Sequence, residues 1–577
     1  MIILCDDNAM TNCTLAASFA KTIKRHPDRL AIVHDDHRLT YADLELNVTR
    51  ARHALAKLEL EAGSRIIIVA NKTPEVISIL LAAWQLPLVL VIVNPLLKAK
   101  QIQYILRDSA ASALICDTQK LQHLLSNKFS FSSLANVLIT DVDNQHNPNK
   151  SNITCANDTS FFVAEMKKAC KEDSHDQSDS VTRPSSKQRT QPSIHSWQYL
   201  LDQAEVISPP EVSPPPEDTL AVILYTSGST GTPKGVMLSH SNLYYGAVSV
   251  SSYLENTPDD RVLALMPLSF DYGLSQLTSS IVTGACLFLY DYVLPRSVLA
   301  YLTKERITGL PAVPHVWDQL AKLVWPVMPD LRYITSTGGR LQEPTIHNLI
   351  AKLPDTKIYS MYGFTEAFRS TFLPPEELDH RPGSIGKAVP YARVLVVGPN
   401  GKETTPGEHG ELVQSGPLVS LGYWNDQQAT SNKIKQLTIG ENSASTRFAF
   451  SGDVAYRDEE GFLYFVDRKD DLVKLSGYRV SLSEIEKALL DCPHIDESCV
   501  LSLTDNRFGH VAAAFVVINN AVSTQSLSQW AHASLPSYQV PSRWMIVNQL
   551  PTTPNNKIDR AVLAARIKHN SPITPDQ

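Results

Sequence analysis

One run of residues narrows what this chain can build more than any other: Leu224 to Lys234, Leu-Tyr-Thr-Ser-Gly-Ser-Thr-Gly-Thr-Pro-Lys. The apolar residues Leu220–Tyr225 in front of it read as a strand, so the run is a loop leaving a strand end. Gly228 and Gly231 let backbone N–H groups turn toward an anion with no Cβ in the way. Thr226, Ser227, Ser229, Thr230 and Thr232 add hydroxyl donors, and Lys234 adds a mobile positive charge. That chemistry suits a triphosphate. Ser/Gly/Thr clusters commonly end as plain surface turns, but the density of donors and the preceding strand argue for phosphate binding. Spacing then excludes two familiar phosphate loops. A Walker A loop needs Gly-Lys followed by Ser or Thr, whereas Lys234 follows Pro233 and precedes Gly235; the dinucleotide pattern Gly-x-Gly-x-x-Gly is absent as well.

At 577 residues the chain exceeds what one hydrophobic core usually supports, so at least two domains are expected. A net charge of −7 argues against a nucleic-acid-binding surface. The eight cysteines show no Cys-x-x-Cys spacing and read as free thiols in a reducing compartment. Ile2-Ile3-Leu4 is too short for a secretory signal. Val76 to Val93 is interrupted by Pro87 and reads as a core helix, a turn and a buried strand rather than a membrane span. A cytoplasmic enzyme is the expectation.

From Leu39 to Asp117, helical patterns alternate with short apolar strands (Ile66–Ala70, Val89–Val93, Ala113–Cys116), which predicts βαβ units. Residues 143–194 are polar and turn-rich and are expected to form a flexible insertion, because they cannot bury enough apolar area to offset their ordering entropy. Arg393–Val397 and Glu411–Val413 read as strands of a more β-rich subdomain. The predicted fold is α/β: a large N-terminal domain, residues 1–467, made of α/β subdomains plus the β-rich one, and a small mobile C-terminal α+β domain, residues 468–577. In the latter, a helix over Ser483–Leu490 and a strand over Val511–Ile518 are predicted, with Ser481 or Ser483 as helix cap.

Through Val236-Met237-Leu238-Ser239-His240, the opening run resembles the phosphate loop of the adenylate-forming superfamily, which contains AMP-forming acyl-CoA synthetases, firefly-type luciferases and peptide-synthetase adenylation domains. In that chemistry a carboxylate attacks the α-phosphate of ATP although both are anions, so the site must supply cations, N–H donors and a divalent metal. Other windows resemble motifs of the same superfamily, in the same order. Ser336-Thr337-Gly338-Gly339-Arg340 resembles the adenine-binding turn, with Arg340 where a small residue is commoner. Tyr359 to Glu366 follows; the resemblance implies that Tyr362 stacks near adenine beside Gly363, Thr365 contacts the α-phosphate and Glu366 is tied to Mg²⁺. It further implies that Asp453, in Ser451-Gly452-Asp453, accepts the ribose hydroxyls, a bidentate role suited to a carboxylate. Asp467 to Val480 implies a nucleotide contact at Arg468, a further nucleotide-site residue at Lys474, a hinge at Asp470, and a passage for the thiol at Gly477, where a side chain would block a pantetheine arm. Finally Pro554 to Arg560 implies that Lys557 bridges carboxylate and phosphate oxygens during adenylation.

The expected cofactors are therefore ATP and Mg²⁺, with CoA or a carrier protein's phosphopantetheine as thiol acceptor. The expected partners are a carboxylic acid and, in the second case, a separate acyl- or peptidyl-carrier protein, because no carrier module follows Lys557. The resemblance is nearest to stand-alone bacterial acyl-CoA ligases. Phe270 stands where acyl-CoA synthetases often carry histidine, and Phe270-Asp271 is similar to the peptide-synthetase pattern in which an aspartate pairs with a substrate amino group. Asp271 thus either faces such a group or caps the helix after it, and an amino-acid adenylating enzyme that loads a separate carrier stays open as the alternative. His315 reads as a substrate contact or a satisfied core histidine.

Overall fold

The computed structural model describes residues 13–127, 129–141, 192–203, 215–226, 233–439, 444–468, 472–475, 478–505, 509–535, 539–554 and 557–568. Ser227, Gly228, Ser229, Thr230 and Gly231 of the expected phosphate loop, the expected hinge Asp470 and Gly477 lie outside the described residues.

Two mixed sheets carry the large domain. In the first, strands Leu220–Thr226, Val89–Ile92, Arg65–Val69, Ala113–Cys116, Asn136–Ile139 and Ser193–Ser196 lie side by side and parallel, and Lys234–Ser239 adds antiparallel to Leu220–Thr226. The helix Pro74–Gln85 shows why these segments fold as they do. Thr73 caps it by accepting the Val76 N–H at 3.3 Å, Pro74 occupies the first turn where no N–H is needed, and the helix closes before Pro87. Ile77, Ile79, Leu80 and Trp84 are at most 1% exposed, and each such side chain contributes about 1.5–3 kcal/mol by leaving water. The helix–turn–strand reading of this stretch therefore holds, and no helix among the described residues is long and apolar enough to cross a membrane.

The second sheet places the site. Strands Leu30–His34, Cys286–Leu289, Arg261–Ala264, Gly309–Ala312, Tyr333–Ser336 and Lys357–Tyr362 are parallel neighbours in that order. Their C-terminal ends open on one edge, and the segments leaving four of them are residues 265–271, 313–315, 337–340 and 363–366. Open α/β sheets bind ligands at that edge. Beyond Lys357–Tyr362 the same sheet turns antiparallel through Thr371–Leu373, Ser384–Ala388, Leu463–Arg468, Thr446–Arg457, Gly410–Ser415 and Arg393–Val397. The β-rich subdomain is thus a continuation of the α/β sheet and carries the 453 and 468 positions to the same edge.

Two expected boundaries shift. Ser193 and Ile194 belong to the strand Ser193–Ser196, which pairs with Asn136–Ile139, so the insertion ends before them; residues 142–191 lie outside the description. Arg468 is the last residue of Leu463–Arg468, in register with Asp453, and so belongs to the large sheet.

From Leu482 onward the chain builds its own core. The helix Leu482–Leu490 packs Leu482, Ile485 and Leu489 against Val500, Ala512, Ala514 and Val516 of the paired strands Ile495–Asp505 and Gly509–Ile518. Arg543–Ile546 adds parallel to Gly509–Ile518.

Candidate active site

Lys557 comes from the C-terminal module yet ends at the large sheet. The Thr553 N–H donates to the Lys557 carbonyl at 2.7 Å, the Lys557 N–H donates to Thr553 Oγ1 at 3.2 Å, and Thr552 bridges to Ile558. This tight turn projects the lysine, whose Nζ lies 5.9 Å from the centroid of the Phe270 ring. A Cβ built on Gly338 would lie 3.5 Å from Phe270 Cζ and 3.7 Å from Lys557 Cε, ordinary contact distances that place all three together, and the φ of +87° at Gly338 is what calls for glycine. Lys557, Phe270 and Gly338, singled out separately in the sequence, meet at one point.

Phe270 holds the cap position of the helix Asp271–Thr283, without a side-chain cap. Asp271, 7% exposed, is its first residue, and its Oδ2 accepts the Thr365 hydroxyl at 3.1 Å. The cap reading of Asp271 is therefore replaced: the carboxylate is engaged by Thr365, and the helix N-terminus favours its charge. Gly363 packs against the following chain, where a Cβ would sit 3.4 Å from Arg369 Cα and the Phe368 carbonyl.

Glu366 follows on a short 3₁₀ turn, Thr365–Ala367. Its Oε1 accepts a hydrogen bond from the Tyr423 hydroxyl, and Lys433 Nζ stands 3.7 Å away. Lys433 also donates to the Ser451 carbonyl at 2.9 Å, which connects Glu366 to the turn holding Asp453. Lys234 opens the strand Lys234–Ser239 directly opposite Thr226, so the chain after the expected phosphate loop enters a strand and not a helix. Its Nζ lies 3.3 Å from Asp426 Oδ2 and 5.4 Å from the Tyr423 ring centroid.

Asp453 is buried, and Tyr362 donates its hydroxyl to Oδ2 while Arg468 Nε lies 3.4 Å from Oδ1. The Asp453 N–H in turn donates to Ser451 Oγ at 3.0 Å. Burial pushes the Asp453 carboxyl up from its ordinary value, although Tyr362 and Arg468 both oppose that shift. Burial, then the carboxylate itself, pushes the Tyr362 phenol well above its usual range, so it stays protonated and donates.

The remaining expected residues take plainer positions. Gly339 packs under Pro314. Arg340 is exposed and pairs with Glu343 at 3.1 Å. His315 is exposed on the helix Pro314–Ala321, with Nε2 3.0 Å from Gln319 Nε2, which rules out a core histidine. Lys474 sits on the strand Leu472–Leu475 opposite Arg479. Sequence reasoning passed over Tyr423, Asp426, Lys433 and Arg369, which no motif marks.

A magnesium ion fits this donor set in one particular way. Among the described residues no three His, Cys, Asp or Glu side chains converge to hold an ion. Mg²⁺ commonly takes only one or two carboxylates and completes its shell with phosphate oxygens and water, and Glu366 supplies one carboxylate at this edge.

Two family models match the chain. AMP-binding enzyme covers residues 19–424, and AMP-binding enzyme C-terminal domain covers residues 484–557. The chain belongs to the AMP-binding enzymes. As a member it is an AMP-forming ligase that carries out ATP-dependent acyl-adenylate formation. Among its relatives, a long-chain-fatty-acid–CoA ligase of Bacillus subtilis is 27% identical, over 96% of this chain and 94% of the relative. An L-proline–[L-prolyl-carrier protein] ligase of Pseudomonas fluorescens is 26% identical, over 95% of this chain and 98% of the relative. A linear gramicidin synthase of Brevibacillus parabrevis is 27% identical over 98% of this chain, but the chain spans only 6% of that protein. The fold of this AMP-binding enzyme is shared with o-succinylbenzoate CoA synthetase of Bacillus subtilis, at 24% identity and TM-score 0.75, over 97% of this chain and 99% of that one.

Proposed function

We propose that the enzyme activates a carboxylic acid with ATP, releases pyrophosphate, and passes the acyl group to a thiol to give a thioester and AMP. The observation that carries this reading is the meeting of Lys557 with Phe270 and Gly338, one residue along the chain from Asp271 and its Thr365 contact. Adenylation needs positive charge where an acid carboxylate and an α-phosphate approach each other, and a preorganised cation there acts on charge that develops in the transition state. Lys557 supplies that charge. The Thr365 hydroxyl, whose single proton goes to Asp271 in the free enzyme, would turn that proton to an α-phosphate oxygen, and Glu366 would hold Mg²⁺. When bound, the metal neutralises phosphate charge. Asp453 would accept the ribose hydroxyls beside Tyr362, and Lys234 together with the loop before it would bind the β- and γ-phosphates.

The acid's carboxylate oxygen attacks the α-phosphorus; the bond to the bridging oxygen of pyrophosphate breaks, leaving the mixed anhydride. A thiolate then attacks the acyl carbon and AMP departs. The chain beyond Asp470 is proposed to act as a lid that turns about that residue between these steps, withdrawing Lys557 and presenting Gly477 to the thiol. CoA is the acceptor we favour. The second reading, an amino acid loaded on a separate carrier protein, draws on Asp271, which is buried at the site.

The test is pyrophosphate exchange over a panel of carboxylic and amino acids, followed by thioester formation with CoA or with carrier proteins. Exchange with no acid, or release of ADP instead of AMP, contradicts the proposal.

A further inference from the structure

Directly after the Thr365-Glu366 turn, the chain buries a cation that nothing described above uses. Arg369 is 3% exposed. Its Nη1 donates to the Phe368 carbonyl at 2.7 Å and its Nη2 reaches the Asp271 carbonyl at 3.5 Å, while Nε has no hydrogen-bond partner. Among the described residues no carboxylate forms an ion pair with it, and the nearby Asp271 carboxylate is turned to the Thr365 hydroxyl. The guanidinium carbon lies instead over two aromatic faces, 5.4 Å from the Tyr272 ring centroid and 5.1 Å from that of Phe368.

The surrounding structure holds it there against resistance. Phe368 adopts φ +53°, a region costly for a bulky residue. Gln414, fully buried, clamps the turn by donating Nε2 to the Ala367 carbonyl at 3.2 Å and the Arg369 carbonyl at 2.7 Å. Next to it, the Ser370 hydroxyl is fully buried and has no partner. Two aromatic faces recover part of the cost of burying a guanidinium, roughly 0.5–2 kcal/mol each. An unpaired buried charge costs several kcal/mol, and an arginine's planar fork is matched by a carboxylate.

We propose that Arg369 recognises a second carboxylate on the acid being activated, so that the substrate class is dicarboxylic acids. One carboxylate of the substrate meets Lys557 and the nucleotide; the other enters behind the first turn of the helix Asp271–Thr283, where Arg369 and the unpaired Ser370 hydroxyl wait. This inference rests on the adenylating function proposed above. It disfavours an amino acid with an uncharged side chain, because such a substrate would leave the guanidinium unpaired.

The experiment is pyrophosphate exchange with matched pairs of acids of equal chain length, one ending in a methyl group or amide and the other in a carboxylate, both aliphatic and aromatic. The best-used acid should be a diacid whose kcat/KM exceeds that of its monoacid partner by at least about tenfold, the scale of one hydrogen-bonded charge. In Arg369→Met that ratio should fall to about one through a raised KM for the diacid, and Arg369→Lys should restore part of it. If Arg369→Met does not fold, the wild-type ratio and the Arg369→Lys KM decide. Exchange supported equally or better by the monoacids, or a ratio unchanged in Arg369→Met, overturns the inference while leaving adenylation intact. Exchange with no acid at all overturns the parent reading and this one with it.

Discussion

Replacing Lys557 by alanine should separate the two half-reactions. The structure allows the effect on chemistry to be distinguished from any effect on folding. The turn that presents Lys557 is held by backbone groups and by the Thr553 hydroxyl, none of which the substitution removes. The residue is exposed, so alanine should change global stability by no more than about 0.5 kcal/mol. Its ring contact at 5.9 Å from Phe270 is at the edge of cation–π range and contributes at most about 0.5–1 kcal/mol to docking of the C-terminal module. A charge-stabilising donor aimed at the transition state is worth about 3–4 kcal/mol, or 10²–10³ in rate. Adenylation, read by pyrophosphate exchange, should therefore fall by roughly 10²–10³ with unchanged thermal stability. Thiolysis of a supplied acyl-adenylate should be within a few-fold of wild type. Equal losses in both steps would refute the reasoning, because they would mean that Lys557 serves the resting structure or the thiol step rather than adenylation.

The other expectations concern titration and packing. Burial raises the Asp453 carboxyl above its ordinary 3.8, so the ionised form, proposed to accept the ribose hydroxyls, should be lost as pH falls toward this raised value, earlier than for a free carboxyl. KM for ATP should rise on that acid limb, and Asp453→Asn should show a high, pH-independent KM; parallel profiles would contradict the role. His240, 1% exposed with Nδ1 unpartnered, has its imidazole pushed down by burial from 6.5 to about 4. A depressed folded pKa leaves stability intact above pH 6.5 and removes it as pH falls toward 4, by about 3 kcal/mol in all at about 1.4 kcal/mol per pH unit. Denaturant titrations at several pH values should show this slope weakened in His240→Asn, and an unaltered slope would exclude His240 as its source. A Cβ at Gly246 would meet Phe368 Cδ1 at 2.3 Å, so Gly246→Ala should cost about 1–3 kcal/mol, which in a chain this large lowers Tm by roughly 1–3 degrees. Gly401→Ala, with φ +75° and open space around it, should cost only about 1–2 kcal/mol by comparison.

What was legible in the chain was local. Ala113–Cys116 reads as a strand and is one, because four apolar residues between turn signals have few other uses. Gly338 and Lys557 are marked by their surroundings in sequence, and the packing of the C-terminal turn on the sheet edge brings them together. The contacts that complete the site are long-range, and no periodicity encodes them. Tyr423 reaches Glu366 across 57 positions, and Thr365 reaches Asp271 across 94. Asp271 was open to a cap reading for the same reason: a carboxylate at a helix start is ambiguous until its distant partner is known. Arg369 sat beside a recognised motif, but its burial is decided by Tyr272 and Gln414, from two other elements.

Several ion pairs away from the site are tighter than those at it, although Lys72–Asp291 at 3.3 Å and Arg261–Glu305 at 3.8 Å are as loose. Arg332 meets Asp260 at 2.8 Å, Lys357 meets Glu255 at 2.8 Å and Arg560 meets Glu486 at 2.7 Å, the spacing of charge-assisted hydrogen bonds. At the site the corresponding distances are 3.3 Å for Lys234 with Asp426, 3.4 Å for Arg468 with Asp453 and 3.7 Å for Lys433 with Glu366. The Arg468 side chain is 54% and the Lys234 side chain 31% exposed, so these two loose pairs hold their cations by about 0–1 kcal/mol each. Under the proposed function that looseness has a use. Each cation is neutralised and oriented by its own carboxylate. Each can then exchange its carboxylate for a phosphate oxygen or a bound nucleotide at small cost, so most of the nucleotide's interaction energy remains for aligning the α-phosphate with the acid. Tightening one of these pairs should accordingly weaken ATP binding even though it adds a stabilising contact to the free enzyme.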